Sequence, residues 1–292
     1  MAPGLLLERA PAKVNLTLHV PRRRADGWHE IESLVVFAGA ADTLSLAPGD
    51  AFSLRVDGPT ALAAGAGDNN LVARAAQALA ARVPGLRSGA FHLVKRLPVA
   101  AGVGGGSSDA AAALRLLARA NHLSLDDPRL FAAACETGSD IPVCLRAQAR
   151  MMRGRGEILG PLMRLPPLFG VLANPGVPLE TKRVFARLGL QPGQSLDGGE
   201  HPQIIDAPER DALLAALKGA RNDMEDAASA LAPVIGHCLA VLAAARGVRL
   251  ARMSGSGATC FALFATCRQA ATAAKLIRRD HPDWWVKATV LR

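Results

Sequence analysis

Tyrosine is absent from this chain of 292 residues, and aromatic residues make up only 4% of it. Flat side chains on which successive bases could stack are therefore few, which argues against a nucleic-acid partner. The basic residues behind the net charge of +9 are scattered, apart from Arg22-Arg23-Arg24. A phosphorylated small molecule accounts for a positive balance as well as a polymer does. The five cysteines are odd in number and form no C-x-x-C pair, which excludes a zinc ribbon or a disulfide scaffold and points to reduced thiols in a cytoplasm. Long apolar runs are missing too. Leu5-Leu6-Leu7 gives way at once to Glu8 and Arg9, too short for a signal-peptide core. The uncharged run from Ala227 to Ala245 contains Pro233, Gly236 and His237 and makes a poor membrane span. The expectation is a soluble cytoplasmic protein with no membrane partner.

Half of the residues are hydrophobic and a fifth charged, ample material for a core. Lys13 to Val20 alternates, with Val14, Leu16, Leu18 and Val20 on one face and Lys13, Asn15, Thr17 and His19 on the other. That pattern predicts a half-buried strand with a polar face open for chemistry. Further strands are expected over residues 31–37, 43–46, 53–56, 90–95, 260–264 and 285–291. Helices are expected over 70–82, 109–120, 130–136 and 268–279, and within 209–218 and 223–245. Strands and helices mix without strict alternation, so the fold class is α+β. Pro161, Pro166 and Pro167 mark a change of regime. They suggest a boundary between domains 1–158 and 159–292, with a long surface loop over 191–208.

The segment Pro98-Val99-Ala100-Ala101-Gly102-Val103-Gly104-Gly105-Gly106-Ser107-Ser108 is the richest in chemistry. Glycines let the backbone approach a bulky ligand, and the helix after them aims its unpaired N–H groups and dipole at whatever sits there. Phosphate is the natural occupant. A flexible linker is the alternative, but it needs no apolar strand before it and no well-phased helix after it. No Gly-Lys-Ser/Thr follows, so this is not a Walker A loop, and Gly102-x-Gly104-x-x-Ser107 lacks the last glycine of a dinucleotide fingerprint. Ser107 and Ser108 read as phosphate donors, as metal-facing oxygens or as helix caps. Asp109 reads as a first-turn dipole partner rather than a catalyst. Taken singly, Asp140 in Gly138-Ser139-Asp140-Ile141-Pro142 is a turn or cap residue, Ser254-Gly255-Ser256-Gly257 a turn, and Lys13 a solvated lysine.

Their order along the chain changes that. Pro11-Ala12-Lys13-Val14-Asn15, the glycine loop, Gly138 to Pro142 and Ser254 to Gly257 together resemble the GHMP kinases. Arg24-Ala25-Asp26-Gly27-Trp28-His29, Asn174-Pro175-Gly176-Val177 and Arg221-Asn222-Asp223 resemble the members acting on a cytidine-diphosphate-tagged branched polyol of the non-mevalonate isoprenoid pathway. The resemblance implies a two-domain fold, with an N-terminal domain like ribosomal protein S5 domain 2 and the site in a cleft. It also implies ATP as co-substrate with Mg²⁺, Asp140 as the base for the 2-hydroxyl, and Lys13 as its electrostatic partner. Residues 98–108 would cradle the phosphates, Ser107 or Ser108 would face the metal, and Asn70 and Leu71 would border the adenine. Asn15, Trp28, His29, Thr181, Phe185, Ser254 and Gly255 would hold the substrate, with Trp28 and Phe185 on opposite faces of cytosine and His29 at its edge. Phe185 reads equally as a core residue. Trp28 stands where tyrosine is usual, which widens the stacking face and removes a hydroxyl. Ala100 and Ala101 replace glycines, which should stiffen the start of the loop. Another small-alcohol kinase of the family, of homoserine or mevalonate type, and a non-catalytic nucleotide-binding regulator remain alternatives. The chain is expected as a monomer or a homodimer.

Overall fold

Residues 29–47 form one uninterrupted strand of 19 residues, where the sequence reads two. Ala38-Gly39-Ala40-Ala41-Asp42 has little strand propensity, but pairing on either side of it overrides that weakness. Residues 31–35 pair with one neighbour and residues 43–47 with another. A Cβ on Gly39 would come within 3.2 Å of Thr289 Oγ1, so a larger residue there would have to displace that side chain.

The computed structural model describes residues 4–65, 67 and 69–292. In chain order the elements are β1 (Leu6–Asn15), β2 (His19–Arg23), β3 (His29–Ala47), β4 (Ser53–Asp57), α1 (Ala61–Ala64), α2 (Leu71–Ala80), β5 (Ala90–Val94), α3 (Gly105–Ala120), α4 (Pro128–Thr137) and α5 (Ile141–Cys144). There follow β6 (Arg150–Gly154), β7 (Ile158–Leu162), β8 (Leu168–Asn174), α6 (Thr181–Arg187), α7 (Arg210–Gly219), α8 (Glu225–Leu231), α9 (Pro233–Ala243), β9 (Val248–Met253), β10 (Cys260–Phe264), α10 (Cys267–Asp280) and β11 (Trp285–Leu291). The fold is α+β. Among the described residues no helix is long and apolar enough to cross a membrane.

The chain forms two units, each discontinuous in sequence. One takes the residues up to Lys13 with 40–99 and 104–147; the other takes 14–39, 100–103 and 148–292. This differs from a single boundary near residue 158, because β1 and β3 each run out of one unit into the other. No change of composition marks a division inside a strand.

In the first unit, residues 43–47 of β3 run antiparallel to β5, and β4 lies parallel on the other side of β5. Helix α3 packs against α2, α4 and α5. Its residues Ala110 to Ala118 are all buried, which makes it a central helix rather than an amphipathic surface one. Alanine at so many positions lets the neighbouring helices approach closely. Asn70 caps α2, its Oδ1 accepting from the Val72 N–H at 2.9 Å.

In the second unit, β9, β10, β8 and β11 form an antiparallel run, and the end of β11 pairs with Ala38 of β3. All five residues of β10 are buried. Helix α9 lies against β9 and β10, and α10 against β8 and β11. Helix α10 opens on a capping box between Thr266 and Gln269. The helical stretch expected within 223–245 is two helices, because Pro233 has no N–H to continue the first and instead starts the second.

The strand expected over 13–20 is also different. β1 ends at Asn15 and β2 starts at His19, and the expected open polar face does not exist: Lys13, Asn15, Thr17 and His19 are all buried. Within the second unit the polar groups find partners instead of water. Asn15 Nδ2 donates to Ser33 Oγ at 2.7 Å, and Thr17 Oγ1 accepts from the Leu34 N–H at 2.9 Å.

Candidate active site

In the first unit, Lys13 near the end of β1 meets Asp140 just ahead of α5, with Nζ 2.8 Å from Oδ2. The lysine side chain is 5% exposed and the aspartate 35%. Asp140 stands at the N-cap of α5 but makes no side-chain cap bond, so its carboxylate is turned to the ammonium rather than to the helix. Pro142 enters the first turn of α5, where its missing N–H costs nothing. The result is a charge-paired carboxylate with one side open, the form in which a base accepts a proton.

Gly104 lies beside this pair with φ +57°, and a Cβ there would sit 3.1 Å from both Cβ and Cε of Lys13. Glycine is needed for the conformation and for the lysine stem. Helix α3 starts immediately after, and its first helical bond runs from the Ser108 N–H to Gly104 O at 2.8 Å. The N–H groups of Gly105, Gly106 and Ser107 precede that bond and head the helix, with no side-chain cap over them. A Cβ on Gly106 would approach Leu71 Cδ1 to 3.3 Å, so Leu71 borders the same helix start.

A second lysine sits below it. Lys95 Nζ donates to Asp109 Oδ2 at 2.7 Å and also to Asp42 Oδ2. Asp42 Oδ1 in turn accepts from the N–H groups of Arg96 at 2.5 Å and Leu97 at 2.8 Å, which fixes the exit from β5 into the glycine loop. Burial works against the Lys95 charge, but Asp109 and then Asp42 outweigh it and raise the lysine pKa. Two carboxylates share one ammonium, and the balance falls on Asp109. Burial pushes its carboxyl up to about 7 in spite of Lys95, with the charge of Asp42 adding to the rise. Its Oδ1 is buried without a hydrogen-bond partner.

In the second unit, Ala100 to Val103 is held by the Ser254 turn. Ser254 Oγ donates to Gly102 O at 3.0 Å, and the Thr259 N–H donates to Ala101 O at 3.0 Å. A Cβ on Gly102 would fall 2.5 Å from Ser254 O and 2.7 Å from Gly257 O. This glycine is required by the protein's own backbone. Asn222 secures the turn from the other side, with Nδ2 donating to Met253 O at 2.9 Å and Gly255 O at 2.8 Å. Thr181 Oγ1 and Ser256 Oγ are 2.7 Å apart. Also in this unit, the rings of His29 and Phe185 stack at 4.5 Å and 21°. Burial, followed by the charge of Arg23, lowers the His29 pKa, and its Nε2 is buried without a partner. Trp28 is 56% exposed, with the guanidinium of Arg155 4.9 Å above its ring.

Residues 70–148 match the GHMP kinases N terminal domain, and residues 209–282 match the GHMP kinases C terminal domain. The chain belongs to the GHMP kinases. It is 63% identical over 289 residues, 99% of each chain, to a protein of Methylobacterium radiotolerans named 4-diphosphocytidyl-2-C-methyl-D-erythritol kinase. A protein of the same name from Xanthobacter autotrophicus is 57% identical over 293 residues, again 99% of each chain. A crystal structure of 4-(cytidine 5'-diphospho)-2C-methyl-D-erythritol kinase superposes with a TM-score of 0.75 at 33% identity, covering 98% of this chain and 99% of that one.

Several residues that the GHMP resemblance assigns to ligands have other work in the structure. Ser254 and Gly255 are buried, and the Ser254 hydroxyl is engaged with Gly102 O inside the turn. Ser108 is 1% exposed, and its Oγ donates to Pro11 O at 2.7 Å, which spends its hydroxyl inside the first unit. Asn70 caps α2 and donates through Nδ2 to Gly65 O at 2.7 Å. His29 faces Phe185 directly, so that face of Phe185 is taken. Asp109 is not a first-turn residue, because α3 starts at Gly105 and places it one turn deeper in the core. Pro98 is half-buried and Val99 exposed. Ala100 adopts φ +51°, a left-handed conformation that costs a non-glycine residue roughly 1–2 kcal/mol and makes it a strained point of the loop. Sequence reasoning missed Lys95, Asp42 and Arg155. A lysine after a strand and an arginine in a Gly-Arg-Gly turn carry no signal until the fold gives them neighbours.

Proposed function

We propose that this chain transfers the γ-phosphoryl group of ATP to the 2-hydroxyl of 4-diphosphocytidyl-2-C-methyl-D-erythritol, as a cytoplasmic enzyme of isoprenoid synthesis. The observation that carries the reading is the Lys13–Asp140 pair at 2.8 Å, beside Gly104 and the head of α3. Asp140 takes the proton of the attacking hydroxyl through its open side. Lys13, paired with Asp140, offsets charge on the phosphoryl oxygens. The N–H groups of Gly105, Gly106 and Ser107 hold the phosphates at the positive end of α3. Phosphoryl transfer needs positioning and charge stabilisation above all, and these groups supply both.

For the acceptor, the second unit offers the exposed face of Trp28 for stacking and the unpartnered Nε2 of neutral His29 for the edge of a base. Thr181, exposed at the start of α6, adds a hydroxyl, and buried Asn15 is held on Ser33. Mg²⁺ supplies charge neutralisation on the phosphates when bound. Among the described residues no group of three or more His, Cys, Asp or Glu is arranged to hold a metal. An ion carried by the nucleotide needs only one or two protein oxygens. Ser107, half-buried in the first turn of α3, would supply one.

The test is ATP consumption with 4-diphosphocytidyl-2-C-methyl-D-erythritol beside homoserine and mevalonate. Turnover on the cytidine compound alone is expected, and faster turnover on either small acid would reassign the acceptor.

A further inference from the structure

Lys13 and Asp140 lie on different elements, and α5 has only four residues, too few to hold its place by helix formation alone. What holds it comes from α3. Arg115 is buried, and its Nη1 donates to Cys144 O at 2.9 Å and Leu145 O at 3.5 Å, the carbonyls that close α5. The same guanidinium reaches β1, with Nη2 donating to Arg9 O at 2.7 Å and Nε to Glu8 Oε2 at 3.1 Å. Ser108 stands seven residues earlier, two turns along the same face of α3. Its hydroxyl donates to Pro11 O on β1 at 2.7 Å and lies 3.5 Å from Cys144 Sγ on α5. Arg9, Pro11 and Lys13 alternate along β1, so the two tethered carbonyls lead directly to the lysine.

The geometry points to Arg115 as a positioning residue for phosphoryl transfer: with Ser108 it fixes β1 and α5 to the helix that heads the phosphate cradle, and so sets the distance between Lys13 and Asp140. This rests on the role proposed above for that pair. Arg115 touches no reacting atom. It converts the rigidity of a buried 16-residue helix into the placement of two side chains on less constrained elements. Ser108 belongs to the same device. A planar guanidinium suits the task because it donates to two directions at once, which an ammonium on the same stem does not match.

The experiment compares Arg115→Met, which keeps the apolar stem without donors, with Arg115→Lys and Ser108→Ala. Steady-state kinetics are run on whichever of the three acceptors the wild type phosphorylates. Arg115→Met is expected to lower kcat by about tenfold or more, since misplacement of about 1 Å can cost as much as a hundredfold. KM for ATP should stay within about twofold, and Arg115→Lys should recover part of the loss. Equal loss in kcat and ATP affinity, or unchanged kcat in a folded variant, overturns the inference. A second readout does not depend on the acceptor. Burial pushes the Cys144 thiol up to about 12 and keeps it inert. Alkylation of Cys144, followed by mass spectrometry, should quicken at least tenfold in Arg115→Lys and Ser108→Ala. Protection equal to wild type in both would mean that α5 is held by something else. Wild-type failure on the cytidine acceptor counts against the functional reading, whereas an unchanged Cys144 counts against Arg115.

Discussion

The first unit holds two lysine–aspartate sites that share their residue types and differ in exposure and in the number of carboxylates. Lys13 meets one aspartate whose side chain is 35% exposed. Lys95 meets two aspartates, exposed 0% and 4%, and is itself 2% exposed. The open pair leaves a carboxylate edge for a proton to reach. The sealed set has no such edge, and its surplus carboxylate answers by holding a proton near neutrality rather than by moving one. Burial on all sides makes a charge cluster structural, whereas burial on one side leaves it able to react. The sealed set also holds backbone, with Asp42 Oδ1 accepting from the N–H groups of Arg96 and Leu97.

Five substitutions would break or sharpen that contrast. The largest effect is expected at the open pair: Asp140→Asn should lower turnover by about 10²–10⁴-fold while nucleotide affinity survives. Next, Lys95→Met leaves two buried carboxylates unpaired and should cost about 3–5 kcal/mol in denaturant unfolding. Lys13→Met should cost about 1 kcal/mol or less, because Asp140 still reaches water, and its main loss should be in kcat. Equal stability losses at the two lysines would erase the distinction.

A smaller effect separates them by pH. The folded-state pKa of Asp109, about 7, lies above its ordinary value of 3.8, so folding takes up a proton between the two. Its contribution is most favourable below the lower value and is lost as pH rises through the upper one. Asp109→Asn, scanned by thermal unfolding from pH 4 to 8, should therefore lose stability less steeply with rising pH than wild type. The smallest change is expected away from both lysines. Trp28→Ala should weaken the cytidine acceptor by about 1–3 kcal/mol through lost stacking and leave ATP binding as it was.

Much of the open site was legible in the sequence, and almost none of the sealed one. Lys13, Asp140 and the glycine loop sit in short motifs that resemble those of the GHMP kinases, and the structure brings Lys13 and Asp140 together. β10 and β11 were legible as well, through apolar runs bounded by turns. Lys95 and Asp42 are separated by 53 positions, and only the pairing of β3 with β5 brings them together. Asp109 was misplaced because α3 begins with glycine and serine, which read as loop. The packing of the Ser254 turn on Gly102 is not legible in the sequence, because 152 positions separate the two. Side-chain alternation over residues 13–20 matches strand only at its two ends, in β1 up to Asn15 and in β2 from His19. Burial of the polar face was not legible, since it depends on Ser33, Ser254 and His201, all distant in sequence.

The chemistry of the open pair turns on where the proton goes. The most direct measurement is kcat for Asp140→Asn with saturating ATP and 4-diphosphocytidyl-2-C-methyl-D-erythritol, per folded molecule and with nucleotide Kd determined on the same preparation. A loss of at least about a hundredfold in kcat with Kd unchanged is predicted. Turnover within a few-fold of wild type would contradict it and leave the open pair with no more chemistry than the sealed one.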